Sequence, residues 1–70
     1  MHFVKGQKVS VLKKDQVILV DIIANITACG DIELASGGVF DRYGRGKKNN
    51  FWNQTFLEEY QEGDEEKIYG

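Results

Sequence analysis

The sequence predicts a mainly β fold: a small barrel or curled antiparallel meander of four to five strands. Three observations carry that prediction. Short runs that alternate apolar and polar residues recur between residues 7 and 43, and they are rich in Val and Ile, whose branched side chains suit a pleated surface. Glycine-containing turns separate the runs, as in Ser36-Gly37-Gly38, where a tight hairpin needs the positive φ that glycine tolerates. The chain has only 70 residues, so it makes one thin-cored domain that leaves no room for a deep substrate pocket.

The elements follow in order. Gly6-Gln7 opens the first strand, Lys8-Val9-Ser10-Val11-Leu12, and Lys13-Lys14-Asp15 is a short polar turn. Gln16 to Thr27 is a long second strand that must bend to serve two parts of a sheet. Strict alternation places Ile18, Val20, Ile22, Ala24 and Ile26 on one wholly apolar face, which is expected to be core. The opposite, mixed face carries Leu19 and Ile23, an expected self-association surface. Ala28-Cys29-Gly30-Asp31 is a turn, Ile32 to Ala35 a short strand, and Val39 to Tyr43 another. A basic loop, Gly44 to Asn50, leads to an expected closing strand near Trp52 to Leu57. Beyond it lies a short C-terminal helix or an acidic tail, so residues 1–57 read as the domain and residues 58–70 as an acidic segment.

Composition narrows the function. Hydrophobic residues are 41% and charged residues 29%, the balance of a folded domain. No run approaches the ~20 apolar residues of a membrane span. The residues after Met1 lack the apolar stretch of a signal peptide. With a single cysteine there is no internal disulfide, and a reducing cytoplasm is the expected compartment. Catalysis needs a nucleophile, a base and an orienting group held together. The only histidine is His2 at the terminus, and the only cysteine is Cys29 in a turn, where it reads as a half-buried filler. Asp31 with Glu33 reads as a solvated edge rather than an acid–base pair. The expectation is a non-enzymatic protein with no catalytic residues, no metal and no cofactor.

Charge points instead to partners. Residues 1–50 hold eight basic against five acidic residues, net +3, whereas residues 51–70 hold six acidic against Lys67, net −5. Such asymmetry bears on association. The acidic group, Glu58, Glu59, Glu62, Asp64, Glu65 and Glu66 around Tyr60, reads as an arm that docks on another protein. Tyr43, Trp52 and Tyr60 are its aromatic contacts, Trp52 also being a core candidate. The alternative site is Arg42, Arg45, Lys47 and Lys48, which have the ingredients to bind nucleic-acid phosphates. A pI near 5.2 lies far below the usual range of such modules. A homodimer paired through Leu19 and Ile23 is the third reading.

Gly6-Gln7-Lys8-Val9-Ser10-Val11 resembles the first strand of SH3-like barrels, including KOW-type modules. Asn25-Ile26-Thr27, Asp31-Ile32-Glu33-Leu34 and Gly38 to Arg45 resemble a pattern in small phage-encoded barrels of that kind. The resemblance covers Gly6 to Arg45. It implies an accessory factor that binds a host protein of the nucleic-acid machinery and inhibits or redirects it, and it supplies no catalytic residues. The acidic aromatic tail is not part of the pattern.

Overall fold

A computed structural model describes residues 3–47 and 54–68 of the chain. The described residues form five strands and one short helix: β1 (Lys8–Lys13), β2 (Gln16–Ile26), β3 (Ile32–Leu34), β4 (Val39–Phe40), β5 (Thr55–Glu59) and α1 (Asp64–Lys67). All pairings are antiparallel, in the order β4-β3-β2-β1-β5, and the sheet curls into a half-barrel. The two outer strands approach each other through residues 45 and 46, because Gly46 bridges to Phe40 and Arg45 to Phe56.

Local sequence accounts for most of this. In β1, Val9 and Val11 point inward and are fully buried. Lys14 and Asp15 form the two-residue turn to β2, both with positive φ, the conformation whose twist matches paired strands. In β3, Ile32 and Leu34 face the core while Glu33 does not. In β5, Thr55 and Leu57 point in, and Phe56 and Glu58 point out. The core is Phe3, Val9, Val11, Ile23, Ile32, Leu34, Phe40 and Leu57, with Ile18, Leu19 and Ile26 packed against it.

The long strand β2 departs from the alternation expected of it. Ile23 is core at 1% exposure, whereas Ile22 is 48% exposed and Ala24 is also exposed. The reason is two irregularities. An extra β2 residue lies opposite the Val11/Leu12 step, and a second lies between Ile23 and Asn25 where β2 meets β3. Each shifts the face by one residue, which moves a side chain to the other surface. Asp21, on the mixed side, costs little there because its carboxylate accepts hydrogen bonds from the N–H groups of Ile22 and Ser36. A dimer that packs through Ile23 is therefore excluded by its burial, and Leu19 is half-buried against the same core.

Two boundaries also move. The strand expected over Val39 to Tyr43 ends at Phe40, since Asp41 to Arg45 is a turn. Glu58 and Glu59 complete β5, so the acidic segment starts inside the sheet rather than after Leu57. Trp52 and Lys48 lie outside the described residues. Among the described residues, no helix is long and apolar enough to cross a membrane.

Candidate functional site

Two charged surfaces were expected, and the fold treats them differently. The acidic segment does not hang free. Residues 60–68 return across the outer face of β1 as a strap. Ser10, on that face, is 1% exposed and donates its hydroxyl to Asp64 Oδ2 at 2.7 Å. The same oxygen accepts the Gln61 N–H at 3.0 Å, and Lys67 reaches Asp64 Oδ1 at 3.2 Å. At the next residue, Glu65 pairs with Lys8 at 3.0 Å, and the Lys8 ammonium sits 4.1 Å from the Tyr60 ring centre. The Tyr60 hydroxyl completes the cluster by donating to Glu65. Asp64, buried at 4% exposure, is thus spent on the strap, and Glu65 and Tyr60 share its cluster. Glu58, Glu59, Glu62 and Glu66 are the exposed carboxylates left for a partner.

The strap is held by charge, which fixes how it responds to pH. The Ser10 hydroxyl, the Gln61 N–H and Lys67 hold the Asp64 carboxyl below its ordinary value against the pull of burial. Tyr60 and then Lys8 do the same for Glu65. Their stabilisation is complete above the ordinary carboxylate values and is lost as pH falls through the lower folded ones. Hydrogen bonding to Glu65 raises both Lys8 and Tyr60. Their part is complete below the ordinary values and is lost as pH rises through the raised ones. The strap is therefore expected to stay closed at neutral pH, to release in acid only below the ordinary carboxylate range, and to loosen in alkali only above the ordinary tyrosine and lysine range. Amide chemical shifts of residues 60–68 followed against pH would check this. Ser10→Ala should move the acid release to higher pH, and an unchanged acid midpoint would contradict the role given to Ser10.

The basic surface is built on a turn. The Asp41 carbonyl accepts the Gly44 N–H, and the Asp41 N–H donates to the Arg45 carbonyl. Its Oδ1 accepts the N–H groups of Tyr43 and Arg45 at 2.9 and 3.0 Å. Asp41 Oδ2 lies 3.3 Å from the Arg45 Nε. Burial pulls the Asp41 carboxyl upward, but the Arg45 and Tyr43 amides and the Arg45 guanidinium together leave it below its ordinary value. It is ionised at neutral pH and braces the turn. At the apex Tyr43 is 71% exposed. The guanidinium groups of Arg42 and Arg45 lie 5.8 and 5.7 Å from its ring centre, on the edge of cation–π range.

Beyond the apex, Arg45 bridges to Phe56, so those two side chains are cross-strand neighbours. Phe56 is 48% exposed, and it lines an open cleft of about 320 Å³ with Asp41, Arg45, Gly46, Gln54 and Thr55. Phe56 thus adds an exposed aromatic ring to this surface. Lys47, expected to contact phosphates, is paired with Asp31 at 3.0 Å. Glu33 accepts from Asn25 Nδ2. Cys29 is exposed, not the half-buried filler expected, because the turn carries it away from the sheet.

Among the described residues no group of His, Cys, Asp or Glu is arranged to hold a metal ion. Comparison with protein-family models, curated proteins and solved structures finds no match.

Proposed function

We propose that this protein is a non-enzymatic module that binds another protein, with the Tyr43 turn as its principal contact. The observation that carries this is one large, amphipathic ring, 71% exposed and flanked by two arginines on a turn braced by Asp41. Tyr and Arg are the residues that dominate interface energetics. A braced turn loses little conformational freedom on docking, so more of the contact energy appears as affinity. Phe56 extends the contact, and Glu58, Glu59, Glu62 and Glu66 supply a second, acidic edge that steers approach. Following the resemblance over Gly6 to Arg45, the partner we propose is a host protein of the nucleic-acid machinery, met in the cytoplasm and inhibited or redirected by docking.

Direct binding of nucleic acid is the competing reading. Against it, Lys47 and Arg45 are each paired with a carboxylate, Asp31 and Asp41, so among the described residues of this surface only Arg42 keeps an unpaired charge to release counterions. The test is affinity capture on the tagged chain, with and without nuclease. Tyr43→Ala is expected to weaken retention of the protein partner by about 10–100-fold, as for an interface hot spot. Unchanged retention would remove the Tyr43 turn from the interface. Retention lost to nuclease would favour the nucleic-acid reading.

A further inference from the structure

Arg42 is positioned without being paired. Its stem lies across the turn between β2 and β3: a Cβ placed on Gly30 would meet the Arg42 Cβ at 3.3 Å and its Cδ and Nε at 4.0 Å. Gly30 has φ +91°, so glycine is required there for the backbone as well as for the space. The guanidinium lies 5.8 Å from the Tyr43 ring centre. Arg42 is exposed, and its stem runs close to the Gly30 turn with its head near an aromatic ring. Among the described residues, however, it makes no hydrogen bond and no ion pair. Arg45 and Lys47, its neighbours in the basic surface, each have a carboxylate.

A guanidinium offers five N–H donors in a planar fork that fits a carboxylate or phosphate with two parallel bonds. Fixing an arginine normally costs side-chain entropy, and here packing on Gly30 and Tyr43 has already met part of that cost. We infer that Arg42 is a preset fork for a carboxylate, and that the partner presents an acidic segment with an apolar side chain to the Arg42–Tyr43–Phe56 surface. This rests on the protein-binding reading above and adds the chemistry of the partner.

Charge decides between a carboxylate and a polyphosphate chain. Arg42 follows Asp41 in the chain and approaches Gly30, the residue before Asp31, so both carboxylates belong to the segments around the fork. A nucleic-acid backbone, with a charge every few ångströms, would lay further phosphates against those carboxylates. A peptide places one carboxylate on Arg42 and neutral or apolar groups beside it. The exposed rings of Tyr43 and Phe56 are suited to the apolar part.

The experiment is a titration of the full chain, followed by amide and arginine side-chain NMR signals. The probes are an acetylated and amidated nonapeptide of Ser and Leu with a single central Glu, the same peptide with Gln for Glu, and a nine-nucleotide oligothymidylate. The acidic peptide is expected to shift Arg42, Tyr43, Arg45 and Phe56 saturably at low salt, with Kd below about 1 mM, and to weaken as salt rises. Arg42→Ala should raise that Kd at least about tenfold, and Arg42→Lys should fail to restore it, since lysine keeps the charge without the fork. Lys5→Ala, which removes an exposed charge outside this surface, should leave it unchanged. No saturable shift up to about 5 mM, an equal response to the Gln peptide, or full rescue by Arg42→Lys would overturn the fork. Tighter binding of the oligothymidylate than of the acidic peptide would overturn the choice of partner. If the peptide fails while Tyr43→Ala still abolishes capture of a protein, the binding module stands and only its acidic partner falls.

Discussion

Ile23→Ala is expected to cost about 2–5 kcal/mol of stability, whereas Ile22→Ala, one residue away, should cost less than about 1 kcal/mol. Ile23 is 1% exposed and faces Leu34 across the sheet, so its truncation leaves a cavity that a 70-residue domain has little spare packing to fill. Ile22 is 48% exposed and faces outward beside Lys8. For a chain of this length the whole stability is roughly 4–10 kcal/mol, so the first change removes a large part of it. Urea titration of both variants measures the difference. Equal midpoints, or a greater loss for Ile22→Ala, would show that β2 faces the other way.

That inversion marks where the sequence stopped being legible. The strand over Gln16 to Ile26 was evident from its Val and Ile content, and so was the need for it to bend. Which face turned inward was not, because both sets of alternate residues are apolar enough to be core. Asp21 tipped the reading toward the set in which Ile18 and Ile26 do pack on the core but Ile22 and Ala24 are exposed. The fold disarms Asp21 with two backbone N–H groups, one of them from Ser36 fifteen residues away. The extra residues that reset the register near Ile18 and Ala24 carry no glycine to announce them. β1, β3 and the hairpin turns were readable for the opposite reason: there apolar and polar residues truly alternate, and the turn residues are of the expected kinds.

The candidate surface was legible in its ingredients and not in its arrangement. Tyr43, Arg42 and Arg45 were visible as an aromatic–basic group, but two other long-range facts decide their roles. Lys47 finds Asp31, and Arg42 finds Gly30, across gaps of sixteen and twelve residues that no local pattern connects. The acidic segment shows the same limit. Six carboxylates in nine residues have the composition of a solvated tail. Only the return of the chain over Ser10 and Lys8 turns two of them into anchors. Ser10, buried on the outward side of β1, marks where the strap covers that face, and alternation gives a serine there no special weight.

Gly44→Ala should be nearly as damaging as the loss of Ile23, and for a different physical reason. Gly44 is buried with φ +84°, and a Cβ there would meet the Phe3 ring at 3.1 Å and the Leu57 Cβ and carbonyl oxygen at 3.4 Å. Phe3 and Leu57 are both core, so neither has room to yield. The left-handed backbone costs a residue other than glycine about 1–2 kcal/mol, and crowding a packed core adds about 1–3 kcal/mol. Gly37→Ala separates the two contributions: φ there is +100° and nothing lies within 4 Å of the new Cβ, so only the backbone cost of about 1–2 kcal/mol should appear. The consequence at Gly44 reaches beyond stability. Its carbonyl accepts the Leu57 N–H at 2.7 Å, and its N–H closes the turn on Asp41. Displacing it shifts Tyr43 and Arg45 off the geometry that Asp41 braces, so Gly44→Ala should lose partner capture even at a temperature where it remains folded. Capture at full strength by a folded Gly44→Ala chain would mean that the bracing of the turn is irrelevant to binding. The Tyr43 ring would then act as a loose anchor, and the advantage argued for a rigid apex would disappear with it.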